Sequence, residues 1–394
     1  MPCRFLLSLL AATALTLPVL ADDHVSAWRL FIADHAAPTV TALDLNSGET
    51  LASFALAAPA TLYAADNAIF AVQGAANQVA AIDGGIAVED HGDHGDIELS
   101  EPALVDVLLE GKKPAHFVEH GGKAALFFDG SGKVSLFNAG AWAFGGELTV
   151  TERDSGTAHH GVAVPWGDYT LVSAANADDE KKPRLGLNVL DARGELVGDT
   201  HACPDLHGEA SSGDRVIFGC SDGVLIVSGS GAPQIEKLPY ADLPEGKSTT
   251  FIGGVGMQYF LGNYGADRVA IIDPAEAAPF LLVDLPTRRV HFAVDPIRAK
   301  YAYVFTEDGK LHQLDIVAGA IVQSLAVTEP YSMDGEWNLP RPRIAVAGDV
   351  VAITDPNRGK VHLIDIVSFT ETGALPVAGA PFGIVAIGGS GTSH

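Results

Sequence analysis

Four histidines open four similar stretches of the chain: His116 in Pro114-Ala-His-Phe-Val118, His160 in Thr157-Ala-His-His-Gly-Val-Ala-Val164, His207 in Asp205-Leu-His-Gly-Glu209 and His291 in Arg289-Val-His-Phe-Ala-Val294. Neutral imidazole nitrogen suits Zn(II) at about 2.0–2.1 Å, and three or four such donors make a tetrahedron, with a carboxylate or water in any open place. His159 and Glu209, close to two of the four, are candidates for the extra ligand. A histidine standing alone more often hydrogen-bonds neighbouring backbone, but four at one repeat position favour a shared metal. Without a metal, clustered imidazoles repel one another on protonation.

A second set of donors is close together in sequence, in Glu89-Asp-His-Gly-Asp-His-Gly-Asp-Ile-Glu98. His91, Asp93, His94 and Asp96 offer nitrogen and oxygen ligands within a few residues, which lowers the entropy of closing a chelate. The alternating glycines deny a stable strand or helix, so a mobile loop that binds more weakly than a preformed site is expected. The plain alternative is a solvated acidic loop. Cys203 and Cys220 are expected to form a disulfide in an oxidising compartment, a thiolate metal site being the lesser alternative at that spacing.

These residues need a scaffold that brings distant segments to one point. Each histidine-headed stretch is followed by a turn and a β-branched or aromatic strand, such as Tyr169-Thr-Leu-Val-Ser173 or Tyr301-Ala-Tyr-Val-Phe305. A third strand then ends on an apolar-Asp step, as in Val79-Ala-Ala-Ile-Asp83, Val269-Ala-Ile-Ile-Asp273 and Val361-His-Leu-Ile-Asp365. Several short strands repeating at about 40 to 50 residues predict an all-β chain folded as a β-propeller. Blades are expected at 28–56, 60–110, 114–150, 157–202, 205–240, 249–286, 289–327 and 340–377. That makes eight, with seven the alternative. Pro381-Phe-Gly-Ile-Val-Ala-Ile387 supplies the inner strand that the first blade lacks, so N- and C-terminal strands should close the ring in one blade. In a propeller the head of each inner strand points to the channel mouth, where His116, His160, His207 and His291 can converge.

The chain starts with Arg4, an apolar run from Phe5 to Leu17 and Val19-Leu20-Ala21, the pattern of a secretory signal cleaved after Ala21. Residues 22–394 then form a single propeller domain carrying the 89–98 insertion, with no membrane insertion expected. Asp22-Asp-His24 at a new N-terminus is a short motif able to wrap Cu(II) or Ni(II). The net charge of -25 excludes nucleic acid as a partner and attracts cations. No Gly-x-Ser-x-Gly elbow, zincin helix or phosphate loop is present.

An exported propeller with histidines heading inner strands and a His-Gly-Asp-His-Gly-Asp loop resembles the AztD family, periplasmic zinc chaperones of bacterial zinc ABC importers. The resemblance covers essentially the whole mature chain and rests on the loop and the channel histidines. It implies a non-enzymatic protein that holds one or two Zn(II) ions and passes them to the importer's solute-binding protein. The expected channel ligands come from His116, His160, His207, His291, His159 and Glu209, with His91, Asp93, His94 and Asp96 in the loop. A monomer is expected. The runner-up is a propeller enzyme, either a metal-dependent lactonase or a quinoprotein-like dehydrogenase subunit. A lactonase needs inward carboxylates and asparagines for Ca²⁺, and those do not head these strands.

Overall fold

Runs such as Tyr301–Thr306 and Lys310–Asp315 are buried at nearly every position. Strands of this kind sit inside a stack of sheets rather than on a half-solvated one. The computed structural model describes residues 23–90, 95–139, 148–176, 178–179, 182–336 and 338–393. They form eight sheets, seven antiparallel ones of four strands and one of six with a single parallel pair, which settles the blade count at eight. The first blade, built from Asp23–Asp34, Thr39–Asp44 and Thr50–Ala55, is completed by Pro381–Ser393 as its inner strand. That pairing runs from Asp23 opposite Ser393 to Asp34 opposite Pro381, so the termini close the ring and leave no open edge there.

The remaining blades span 61–110, 114–154, 163–202, 209–239, 251–284, 289–326 and 344–376. The largest departure from the expected boundaries concerns blades four and five, whose inner strands begin at Ala163 and Glu209, after the histidines rather than at them. Apolar clusters fill the wedges between blades. Phe70 of blade two stacks on Phe117 of blade three with ring centres 4.5 Å apart, and both are buried. Each such side chain contributes roughly 1.5–3 kcal/mol by leaving water.

The insertion in blade two is a hairpin, Ile86–Asp90 with Gly95–Leu99. It joins the sheet of the first blade, with Asp96 opposite Thr392 near the far end of the closing strand. Arg29 holds its base through the carbonyls of Gly84 and Ser100, at 2.6 and 2.7 Å. The register decides which face the hairpin leaves from. Asp83, just before it, pairs with Ala68, which pairs with Ala65 at the tail of the inner strand. The hairpin therefore starts on the face opposite the strand heads.

Candidate metal centre

Two devices aim the histidines. In blade three the pairing shifts between Pro114 and Phe117, so a bulge at Ala115–His116 turns His116 out of the ladder. In blades four and five, His160 and His207 sit in the bends that enter the inner strands, each followed by glycine. Gly208 has φ +81°, and a Cβ there would lie 2.4 Å from the Thr249 carbonyl oxygen. Its bend is pinned on both sides. His207 N–H donates to the Gly219 carbonyl at 3.0 Å, and the Cys203–Cys220 disulfide fixes the approaching chain. The bridge closes a sequence separation of 17, a loop whose closure restricts the unfolded chain by about 3 kcal/mol.

Each of the three rings gives its Nδ1 hydrogen to an oxygen. His116 donates to Glu209 Oε1 at 3.2 Å, His160 to Asp129 Oδ2 at 2.8 Å and His207 to the Thr249 carbonyl at 3.1 Å. An imidazole held this way carries its lone pair on Nε2, the state and orientation of a metal-binding histidine. His116 Nε2 and His160 Nε2 face each other at 3.1 Å. Two lone pairs that close need a positive charge between them, a proton or a metal. The separation is close to the edge of a zinc tetrahedron, about 3.3 Å for bonds of 2.0–2.1 Å.

His160 and His207 have ring centres 5.2 Å apart. Among the described residues no three His, Cys, Asp or Glu side chains stand at ready-made ligating geometry, so a metal has to draw the rings together. Glu209 is the acid at the centre, 11% exposed, with its second oxygen buried and without a partner. Burial pushes its pKa up, but the charges and hydrogen bond of the surrounding histidines outweigh that and hold it below its ordinary value. Burial also opposes charge on His116, yet Glu209 and Asp129 leave its pKa raised. The centre opens on a cavity of 580 Å³ lined by Tyr63, His116, His207, Glu209 and Thr249 among others.

The other candidates are placed differently. His291 Nδ1 accepts the Ile344 N–H at 3.1 Å, which leaves the ring hydrogen on Nε2 and removes that nitrogen as a ligand in this arrangement. Burial, then Arg343 and Arg289, push its pKa well below the ordinary value. His159 is half-buried, and its Nδ1 donates to the His160 carbonyl at 2.9 Å, which leaves a lone pair on its Nε2 as well. Asp96 is on the insertion hairpin, on the face away from the centre, while His91, Asp93 and His94 lie outside the described residues.

The zinc chaperone AztD of Citrobacter koseri is 50% identical over 382 residues, 96% of this chain and 90% of its own length. The chain belongs to the AztD family of zinc chaperones. Two crystal structures of the Citrobacter koseri AztD carry the likeness into three dimensions. One covers 94% of this chain at 51% identity with a TM-score of 0.91, and the apo form covers 93% at 49% with 0.89; each is matched over its full length. The dihydro-heme d1 dehydrogenase NirN, 14% identical with a TM-score of 0.59 over 91% of this chain and 74% of its own, shares the fold alone. No protein-family model matches the chain.

Two residues of this AztD-family centre escape a search for histidine heads. Asp129 lies in the turn after the second strand of blade three and orients His160 from the side. Arg184 is 1% exposed and donates to the carbonyls of Thr157, His159 and His160 at 3.2, 2.9 and 3.1 Å. The bend that presents His160 is wrapped around one guanidinium. A lone arginine just before the Leu185-Gly-Leu-Asn-Val strand gives no signal of this in the sequence, whereas the Asp129-Gly130 pair after the second strand of blade three is a turn signal that could have found the other.

Proposed function

We propose that the protein is an exported zinc-carrying chaperone whose cargo site is formed by His116, His160 and His207. Glu209 and Asp129 hold two of these rings and supply the negative field, and the fourth place of the tetrahedron serves for exchange. The observation that carries this is the shared Nδ1–H to oxygen pattern, which leaves a lone pair on Nε2 of each of three rings from three blades, with His116 Nε2 and His160 Nε2 3.1 Å apart and the His207 ring centre 5.2 Å from that of His160. His159, whose Nδ1–H bond also leaves a lone pair on Nε2, is a reserve donor for the exchange place, and His291 is left outside the site by its tautomer. Zinc competes with the proton that Glu209 helps to hold on His116, so affinity is tied to pH.

The second station is the 89–98 insertion, with His91, Asp93, His94 and Asp96 as donors for a weaker, exchangeable ion, making two Zn(II) per chain at most. The partner is the zinc solute-binding protein of an ABC importer, met in the periplasm by a monomer after cleavage behind Ala21. The described base of the insertion, which starts on the face opposite the strand heads, favours a loop that meets partners on its own side over one that folds onto the channel site.

The test is competitive Zn(II) titration of the mature protein beside a His116→Ala, His160→Ala, His207→Ala variant and a deletion of 89–98, with transfer to the solute-binding protein followed in parallel. The triple variant should lose the tight ion, while the deletion keeps it and slows transfer. Tight binding that survives the triple substitution ends this assignment.

A further inference from the structure

Across the ring from the metal centre, Arg289 and Arg343 stand at the heads of the inner strands of blades seven and eight. The Ile344 N–H bond to His291 Nδ1 brings the two heads together. Each guanidinium lies against an aromatic face, Arg289 Cζ 5.2 Å from the Phe292 ring centre and Arg343 Cζ 4.6 Å from that of Phe382. Neither meets a carboxylate among the described residues. Arg289 Nε is buried without an acceptor, and Arg343 has only a 3.4 Å contact to the Pro342 carbonyl from its side chain.

This is unlike the other buried arginines. Arg184, Arg29 and Arg341 are each taken up by two or more backbone carbonyls. Burial without compensation drives the pKa of Arg289 down to about 10. For Arg343, burial and then the neighbouring Arg341 and Arg289 do the same. Both remain charged at neutral pH, and two unpaired charges in partial burial call for a counter-ion.

We propose that the heads of blades seven and eight bind a small dianionic oxyanion of the phosphate type, held by the guanidinium forks of Arg289 and Arg343 with His291 Nε2–H as a third donor. Two guanidiniums match the charge of a dianion, and their planar forks suit tetrahedral oxygens. The tautomer that disqualifies His291 as a metal ligand makes it a donor. With a net charge of -25, the protein as a whole repels anions, so any affinity has to come from a local site.

Inorganic phosphate is the probe, titrated calorimetrically into the metal-free mature protein against chloride at equal ionic strength, because phosphate also binds free zinc. The wild type should show one saturable site. Arg289→Gln or Arg343→Gln should weaken it about tenfold or more, the double variant should abolish it, and Arg193→Gln on the exposed surface should leave it unchanged. Tm should rise with phosphate in the wild type, on the order of 2 °C per tenfold excess over Kd, and stay flat in the double variant. Glutamine removes an unpaired buried charge, so these variants should fold. If the double variant does not, Arg343→Lys decides, since it keeps the charge without the fork and should bind more weakly. Binding no stronger than the chloride control in the wild type overturns the proposal, as does a double variant or Arg343→Lys that binds like the wild type.

Discussion

His160 and His291 are matched by the sequence repeat of blades four and seven, yet the first sits in the bend before its strand and the second within it, and their rings are wired in opposite senses. His160 gives its Nδ1 hydrogen to Asp129 and keeps a lone pair on Nε2; His291 takes a hydrogen on Nδ1 from Ile344 and keeps one on Nε2. Around the first are Glu209 and Asp129, around the second Arg289 and Arg343. The repeat position determines where a propeller side chain points, but the partner on its inner nitrogen determines whether it can accept a cation. On the proposed reading the mouth divides into a cation side and an anion side, with the arginines repelling zinc from the half where it has no ligand.

The sharpest way to break this comparison is to remove one histidine from each side. His160→Ala should lower zinc affinity more than about 100-fold, beyond what loss of an outer partner does. His291→Ala should leave it within about twofold. Competition against a chelating dye reads both, and equal losses would mean that a metal rewires His291 and that the division of the mouth is wrong.

Much of this arrangement was legible in the sequence, for identifiable reasons. The apolar-Asp steps and the C-terminal Pro381–Ile387 run report a repeat and its closure because strand burial repeats with the blade. Histidine heads are visible for the same reason. The tautomers were not legible, since they depend on contacts far apart in the chain: Glu209 is 93 residues from His116, and Ile344 is 53 from His291. One clue was present. His160 and His207 are followed by glycine, His116 and His291 by phenylalanine, and the structure separates bends from bulged strands along that line for His160, His207 and His116. A second bulge follows Arg289 in blade seven, so a bulge alone does not make a ligand.

A smaller effect comes from the acid. Glu209→Gln should weaken zinc binding by about 10- to 100-fold, the usual result of removing an oriented second partner from a ligand histidine. It also carries a pH signature. Burial lowers the pKa of His116, but Glu209 raises it more, so the proton is held to a higher pH than the ordinary 6.5. Zinc competes with that proton. Affinity is therefore full at high pH and falls as pH drops through the raised His116 pKa, with the decline starting above 6.5. In Glu209→Gln burial acts with less opposition and the decline should begin at lower pH. Titrations across pH 5 to 9 check the sign, and an unmoved onset would remove Glu209 as the group that tunes His116.

The smallest expected change tests how the bend of blade four is held. Arg184 touches no metal ligand nitrogen; it reaches the carbonyls of Thr157, His159 and His160 at once. Arg184→Lys keeps the charge but has no fork, and a single ammonium cannot meet all three carbonyls in the same geometry. Each carbonyl left unsatisfied in this part-buried bend costs up to about 1–3 kcal/mol, so Tm should fall. Zinc affinity should fall by no more than about tenfold, because Asp129 still orients the His160 ring. The two readouts separate support from ligation. A variant that loses zinc as completely as His160→Ala while keeping its Tm would show that the guanidinium acts on the metal centre directly, and that the cation side needs a positive group of its own.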